Sequence, residues 1–187
     1  MQKSVFVSLF VIGTIATTLT GCTARGNPDA SSEAMRNGME IRLQQLEDRE
    51  AIRQLLMDYG QSLDRRDFAS FSQLFAERDG EWDGGMGKAK GPAEIRKLME
   101  TTIGKRTENP GPPNFHIFTN ETIRLNGDRA DATTKWIFVI QGDAGRPQPV
   151  YLGHYEDSMI RENGRWKFQR RVVHTDIPGD EALSRKQ

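Results

Sequence analysis

Apolar residues Ile52, Leu55, Leu56, Tyr59 and Leu63 recur at i, i+3, i+4, i+7 and i+11, which lines them up on one face of a helix. This helix is expected to begin near Ile41. Acidic Glu40, Glu47, Asp48 and Glu50 crowd its early turns, where negative charge complements the helix dipole, and Arg65 and Arg66 close its end. Asp67 reads as the N-cap of a second helix carrying Phe68, Phe71, Leu74 and Phe75. The two helices form a corner from Ile41 to Phe75.

Glu77 to Lys90 is polar and contains Gly80, Gly84, Gly85 and Gly87, so a short irregular strand or solvated loop around Trp82 is expected. Asp79-x-Glu81-x-Asp83-Gly84 imitates the start of a calcium loop. The twelfth position is Lys90, however, where a bidentate Glu is needed. Gly87-Lys88 lacks the Ser or Thr and the upstream glycine of a phosphate-binding loop. Pro92 at a first turn, with Ile95, Leu98, Met99 and Thr102, predicts a third helix ending near Gly104. After the break at Asn109-Pro110-Gly111-Pro112-Pro113 the pattern becomes strand-like: Phe115–Leu125, Arg129–Ile140, Val150–Glu162 and Arg165–His174. Asn126-Gly127 and Asn163-Gly164 supply hairpin turns. Three helices followed by an antiparallel meander predict an α+β fold, with the helices on one face of the sheet.

Charge and the N-terminal segment narrow the setting. The 187 residues carry 26 basic and 26 acidic side chains, a balance that argues against a nucleic-acid partner. Lys3, the apolar run Val5 to Leu19 and Leu19-Thr20-Gly21-Cys22 have the layout of a signal peptide, with an apolar run too short for a spanning helix. The Leu-Thr-Gly-Cys sequence resembles the lipobox of bacterial lipoproteins, which implies cleavage before Cys22 and its lipidation. Cys22 is the only cysteine, so the exported domain has no internal disulfide. Thr23 follows where an Asp would resemble an inner-membrane retention signal, so the periplasmic side of the outer membrane is the expected location in a host with two membranes. The expected division is residues 1–21 signal peptide, 22–39 flexible tether, 40–176 folded domain and 177–187 tail.

The order of elements, the run Leu46-Glu47-Asp48-Arg49-Glu50-Ala51-Ile52-Arg53-Gln54-Leu55-Leu56, and residues Tyr59, Asp64, Asp67, Phe71 and Phe75 look like the SnoaL-like branch of the nuclear transport factor 2-like (NTF2-like) superfamily. His116-x-x-x-Asn120, Gly153-x-Tyr155-x-Asp157 and Gly164-x-Trp166-x-Phe168 with Arg170-Arg171 add to the likeness. The resemblance implies a cone in which a highly curved antiparallel sheet closes around three N-terminal helices and leaves an apolar cavity. Relatives such as scytalone dehydratase and the bile-acid dehydratases work there without a cofactor. It places the acid/base pair at Asp64 and His116 and the helix tyrosine at Tyr59. Arg170 or Arg171 would lie near an anionic or carbonyl part of a small hydrophobic ligand, with Trp82 and Trp136 among the lining residues. It also implies a homodimer or homotrimer.

The chemistry of the pair is general. An unperturbed imidazole titrates at about pH 6.5, so it both takes and gives a proton near neutrality. A carboxylate on its other nitrogen fixes the tautomer, and a tyrosine hydroxyl can donate to a developing oxyanion. Helix geometry alone leaves Asp64 about 120° from the middle of the apolar stripe, the position of a surface residue; the resemblance brings it inside. Thr133–Ile140 lacks the second histidine of scytalone dehydratase-like sites, so a single-histidine dehydratase or isomerase fits better. The alternatives are a non-catalytic hydrophobic-ligand-binding lipoprotein and a dimerising interaction module. His154 and His174 read as surface or rim residues. Without His-x-His or His-x-x-x-His spacing, no metal site is expected.

Overall fold

The computed structural model of the chain describes residues 28–104 and 112–178. The expected signal peptide, Cys22 and the end of the tail lie outside them. Helix α1 spans Pro28–Asp64, so residues 28–39 are helical rather than an open tether. Pro28 is tolerated in a first turn, Glu33, Ala34, Met35 and Arg36 are good helix formers, and Gly38 costs only about 1 kcal/mol relative to alanine. The folded body begins at Met39. Its expected apolar stripe is buried, with exposures of 9% or less from Ile52 to Leu63. Asp48 does not serve an early turn. It is itself buried, accepting from Arg161 Nη2 at 2.5 Å, Gln44 Nε2 at 3.1 Å and Trp166 Nε1 at 3.3 Å.

Asp67 caps α2 by accepting the Ser70 N–H at 3.1 Å, but α2 covers only Phe68–Ser72. Phe75 is a bridge partner of Phe168 instead. Leu74 C=O and Ala76 N–H each bond Phe168, and these sheet contacts replace the helical ones. The segment expected to be a short irregular strand or a loop around Trp82 is a hairpin, with Trp82 on the short strand β1 (Glu81–Gly84) and β2 (Gly87–Lys90) returning beside it. Helix α3 runs Pro92–Thr102 and buries Ile95 and Met99.

Four long strands follow: β3 (Asn114–Asn126), β4 (Arg129–Gln141), β5 (Pro147–Glu162) and β6 (Arg165–Ile177). At the last hairpin Asn163 and Gly164 have φ of 51° and 76°, the left-handed pair that a two-residue type I′ turn requires. The sheet order is β2-β1-β6-β5-β4-β3. Because β1 runs parallel to β6, pairing Trp82 with Arg171, the sheet is mixed rather than wholly antiparallel. The core lies between it and the helices, centred on Ile52, Leu56, Phe71, Phe75, Ile95, Met99 and Phe168, each 1% exposed or less. Among the described residues no helix is long and apolar enough to cross a membrane.

Candidate functional site

Asp64 is the last residue of α1, which frees its side chain from the helical wheel and turns it toward β3. Its Oδ1 lies 2.6 Å from His116 Nδ1 and accepts from Asn114 Nδ2 at 3.0 Å, while its Oδ2 accepts the backbone N–H of His116 at 3.0 Å. The carboxylate is therefore held from three directions. Its contact with Nδ1 favours the tautomer with the proton on that nitrogen, leaving Nε2 with a free lone pair. The side chains of Asp64 and His116 are 19% and 13% exposed. They are recessed enough to limit solvent screening.

Register brings aromatic walls to the pair. His116 is opposite Phe138, which is opposite Tyr151; Phe118 is opposite Trp136, which is opposite Gly153. The His116 ring lies 4.7 Å from Phe138 and 6.4 Å from both Phe118 and Trp136. A Cβ on Gly153 would come within 2.0 Å of the His174 carbonyl oxygen and 2.6 Å of the Trp136 indole, so glycine is what allows Trp136 to lie against β5. At Gly60, a Cβ would fall 2.8 Å from Phe118. The bare helix face there lets β3 approach α1 and close the gap between His116 and Asp64.

The other sequence-predicted residues are not gathered at the pair. Tyr59 is 1% exposed, and its hydroxyl accepts from Trp82 Nε1 at 2.9 Å. Burial raises its pKa against the nearby Arg171 charge, so it stays a neutral phenol. Its ring neighbours are Phe71, Phe75, Tyr155 and Phe168, a set that shares no ring with that of His116. Trp82 belongs to the same core. Trp136 alone of the two tryptophans borders the pair, stacked on Tyr155 at 5.7 Å.

Arg171 is fully buried, with Nε and Nη2 each 2.7 Å from the two oxygens of Asp157. Burial works against its charge, but the paired carboxylate outweighs this and holds the guanidinium above its usual pKa. Arg170 is on the opposite face, bonded to Glu81 and Asp83. Asn114, not singled out by the sequence, shares His116's face two residues earlier, and the period of a strand is the signal that would have found it.

A groove of about 660 Å³ lined by Gln73, Phe75, Glu77, Pro92, Ala93, Glu162, Asn163, Arg165 and Lys167 contains neither Asp64 nor His116. It lies toward the opposite end of β5 and holds no close acid/base pair.

Compared with known families, residues 44–172 match the SnoaL-like domain. The chain belongs to the SnoaL-like family. The uncharacterized protein Rv2910c of Mycobacterium tuberculosis is 29% identical over 134 residues, covering 68% of this chain and 85% of that protein. An NTF2-like protein with a cystatin-like fold from Novosphingobium aromaticivorans superposes with a TM-score of 0.66 at 27% identity, covering 81% and 96% of the two chains. A type 2 hexachlorocyclohexane dehydrochlorinase, LinA, superposes with a TM-score of 0.61 at 21% identity over 72% and 89%. This SnoaL-like chain therefore has the NTF2-like fold, with a sheet of six strands in mixed directions.

Proposed function

We propose that this SnoaL-like protein is a lyase of the dehydratase type or an isomerase, working without a cofactor on a small hydrophobic, ring-containing carbonyl compound. The observation that carries this reading is the 2.6 Å contact between Asp64 and His116, with the carboxylate fixed by Asn114 and by the His116 backbone. In the dehydratase version, Nε2 of His116 takes the proton next to the substrate carbonyl and the C–H electrons become the new C=C bond. The C–O bond at the adjacent carbon breaks, and the leaving hydroxide takes the proton back from the imidazolium to depart as water. Asp64 stabilises that imidazolium. A dehydrochlorinase sharing the fold is consistent with elimination chemistry.

The test is a panel of cyclic β-hydroxy ketones followed by the absorbance of the conjugated enone. For a compound that wild type converts, His116→Ala is expected to lose about 10²- to 10⁴-fold in kcat, the usual share of a general acid/base. Equal turnover by the two would refute the assignment. The protein is further proposed to be tethered to the membrane through lipidated Cys22, with labelling by a radioactive fatty acid, absent in Cys22→Ala, as the check.

A second role, self-association, is favoured by the outer face of the sheet. Ile117, Ile137, Leu152 and Ile177 form one cross-strand row, with Ile117 and Ile177 49% and 61% exposed and Phe115 beside them at 62%. A homodimer or homotrimer using this face predicts that Ile117→Asp yields a monomer by light scattering. An unchanged mass would refute the interface.

A further inference from the structure

On the outer face of β5 and β6, away from the Asp64–His116 pair, register pairing sets His154 opposite His174 and Glu156 two residues along on the same face. The two imidazole rings stack with centroids 4.5 Å apart and planes 11° from parallel. Donor atoms of His154, Glu156 and His174 all lie within 4.8 Å of one another. His174 Nε2 is buried without a hydrogen-bond partner and is 3.5 Å from Glu156 Oε2. Asp176 places both carboxylate oxygens 3.0 Å from His154 Nδ1.

This arrangement has the parts of a metal centre. Two imidazoles and a carboxylate suit a divalent ion of the zinc type rather than calcium or magnesium. A carboxylate on the far nitrogen of one histidine fixes its tautomer and turns Nε2 outward as a ligand, the usual supporting contact of a metal-bound imidazole. Metal–ligand distances of about 2.0–2.2 Å put tetrahedral donors about 3.4 Å apart, and the donors here, within 4.8 Å of one another, are near that spacing. The neighbouring charges are Glu156, Asp176 and, opposite His154 on β4, the exposed Lys135. The balance is negative.

We propose that His154, His174 and Glu156 form a binding site for one divalent transition-metal ion, with Asp176 positioning His154 and a fourth coordination position left to water or an added ligand. The site is separate from the proposed reaction and does not depend on it. Chain spacing hides it, because strands β5 and β6 bring together histidines twenty positions apart.

The test is titration of the full chain, without a histidine tag, by Zn²⁺ alone in a calorimeter and by Co²⁺ alone in a visible spectrometer. Wild type is expected to bind one ion per chain and to develop the visible bands of tetrahedral Co²⁺. His154→Ala and His174→Ala should each weaken binding at least tenfold, and the double variant should abolish both signals. Asp176→Asn should weaken binding by roughly 10- to 100-fold, Glu156→Gln should shift the Co²⁺ spectrum, and His116→Ala should change neither signal. Circular dichroism verifies that each variant is folded. Absence of saturable binding by wild type overturns the proposal. So does unchanged binding in folded His154→Ala and His174→Ala, or a loss in His116→Ala as large as theirs.

Discussion

Asp157→Asn is the perturbation whose cost the structure specifies most directly. The wild-type carboxylate and the Arg171 guanidinium are both wholly shielded from water and joined by two bonds of 2.7 Å. Removing the negative charge leaves a cation that has no solvent to return to, and breaking one half of such a pair costs about 3–5 kcal/mol. Three aromatic faces lower that figure. The guanidinium carbon lies 4.0 Å from the ring centre of Tyr59 and 4.1 Å from those of Tyr155 and Phe168, and buried contacts of this kind each return roughly 1–2 kcal/mol. The same contacts exist in wild type, so only their strengthening offsets the loss, and the expected cost settles near 3 kcal/mol.

That is a large part of the 5–15 kcal/mol typical of a whole domain, and it predicts a melting point lower by roughly 10 °C. The assay is urea unfolding of wild type, Asp157→Asn, Asp157→Leu, Arg171→Met and the double variant Asp157→Leu/Arg171→Met, the last three closing a cycle with wild type. The double variant should be more stable than either single one, because an apolar pair replaces the ion pair without stranding a charge. The reasoning fails if Asp157→Asn costs less than about 1 kcal/mol, a value typical of surface pairs. It also fails if the single and double effects simply add, since contacting groups should be coupled.

Other outcomes follow from the same geometry. The Asp48 carboxyl is buried, which works against its charge, yet hydrogen bonds from Arg161, Trp166 and Gln44 hold its pKa below the ordinary value of 3.8. A depressed folded-state pKa gives stability that is present above pH 3.8 and lost as pH falls through the folded value. Asp48→Asn should therefore cost about 1.5–3 kcal/mol at pH 7 in urea unfolding, with the gap to wild type narrowing as pH falls below 3.8; a gap constant from pH 7 to pH 2.5 would contradict this. Gly153→Ala should destabilise by 2 kcal/mol or more, about the cost of overpacking against rigid backbone. Gly85→Ala, where a Cβ meets nothing within 4 Å, should shift the urea midpoint negligibly.

Periodicity was sufficient for the four long strands, for α3 and for α1 from Ile41 onward, though not for the start of α1 at Pro28. The stripe from Ile52 to Leu63 is buried as its spacing requires, α3 starts at Pro92, and the four long strands begin and end within three residues of expectation. The β1–β2 hairpin was not legible because four residues per strand, among glycines, are too few for a pattern. Its pairing with β6, which makes the sheet mixed, is a contact across almost ninety positions. Phe75 kept its helical spacing but left the helix because the β6 backbone offers it a partner. Asp64 was legible only through family likeness, since the wheel places it at the margin and the helix end that releases it is a tertiary fact. Arg171 looked like a ligand-facing residue, but a strand position gives no hint that Asp157 stands opposite it. His154 and His174 lie opposite each other on β5 and β6, a neighbourhood that spacing along the chain does not show.

His116 rides on β3, and β3 is an outer edge of the sheet. An edge strand offers unpaired backbone groups on its free side, an invitation for another chain to add itself. At His116 that offer is taken by Asp64, whose second oxygen accepts the backbone N–H at 3.0 Å, while a register shift between Thr119 and Thr122, with Asn120 at φ 53°, interrupts the strand farther along. The carboxylate thus stands in for a missing neighbouring strand while it aligns the imidazole. Loss of Asp64 would then do more than release the imidazole: it would open a sticky border, and an Asp64→Ala chain is expected to be less soluble than wild type for that reason.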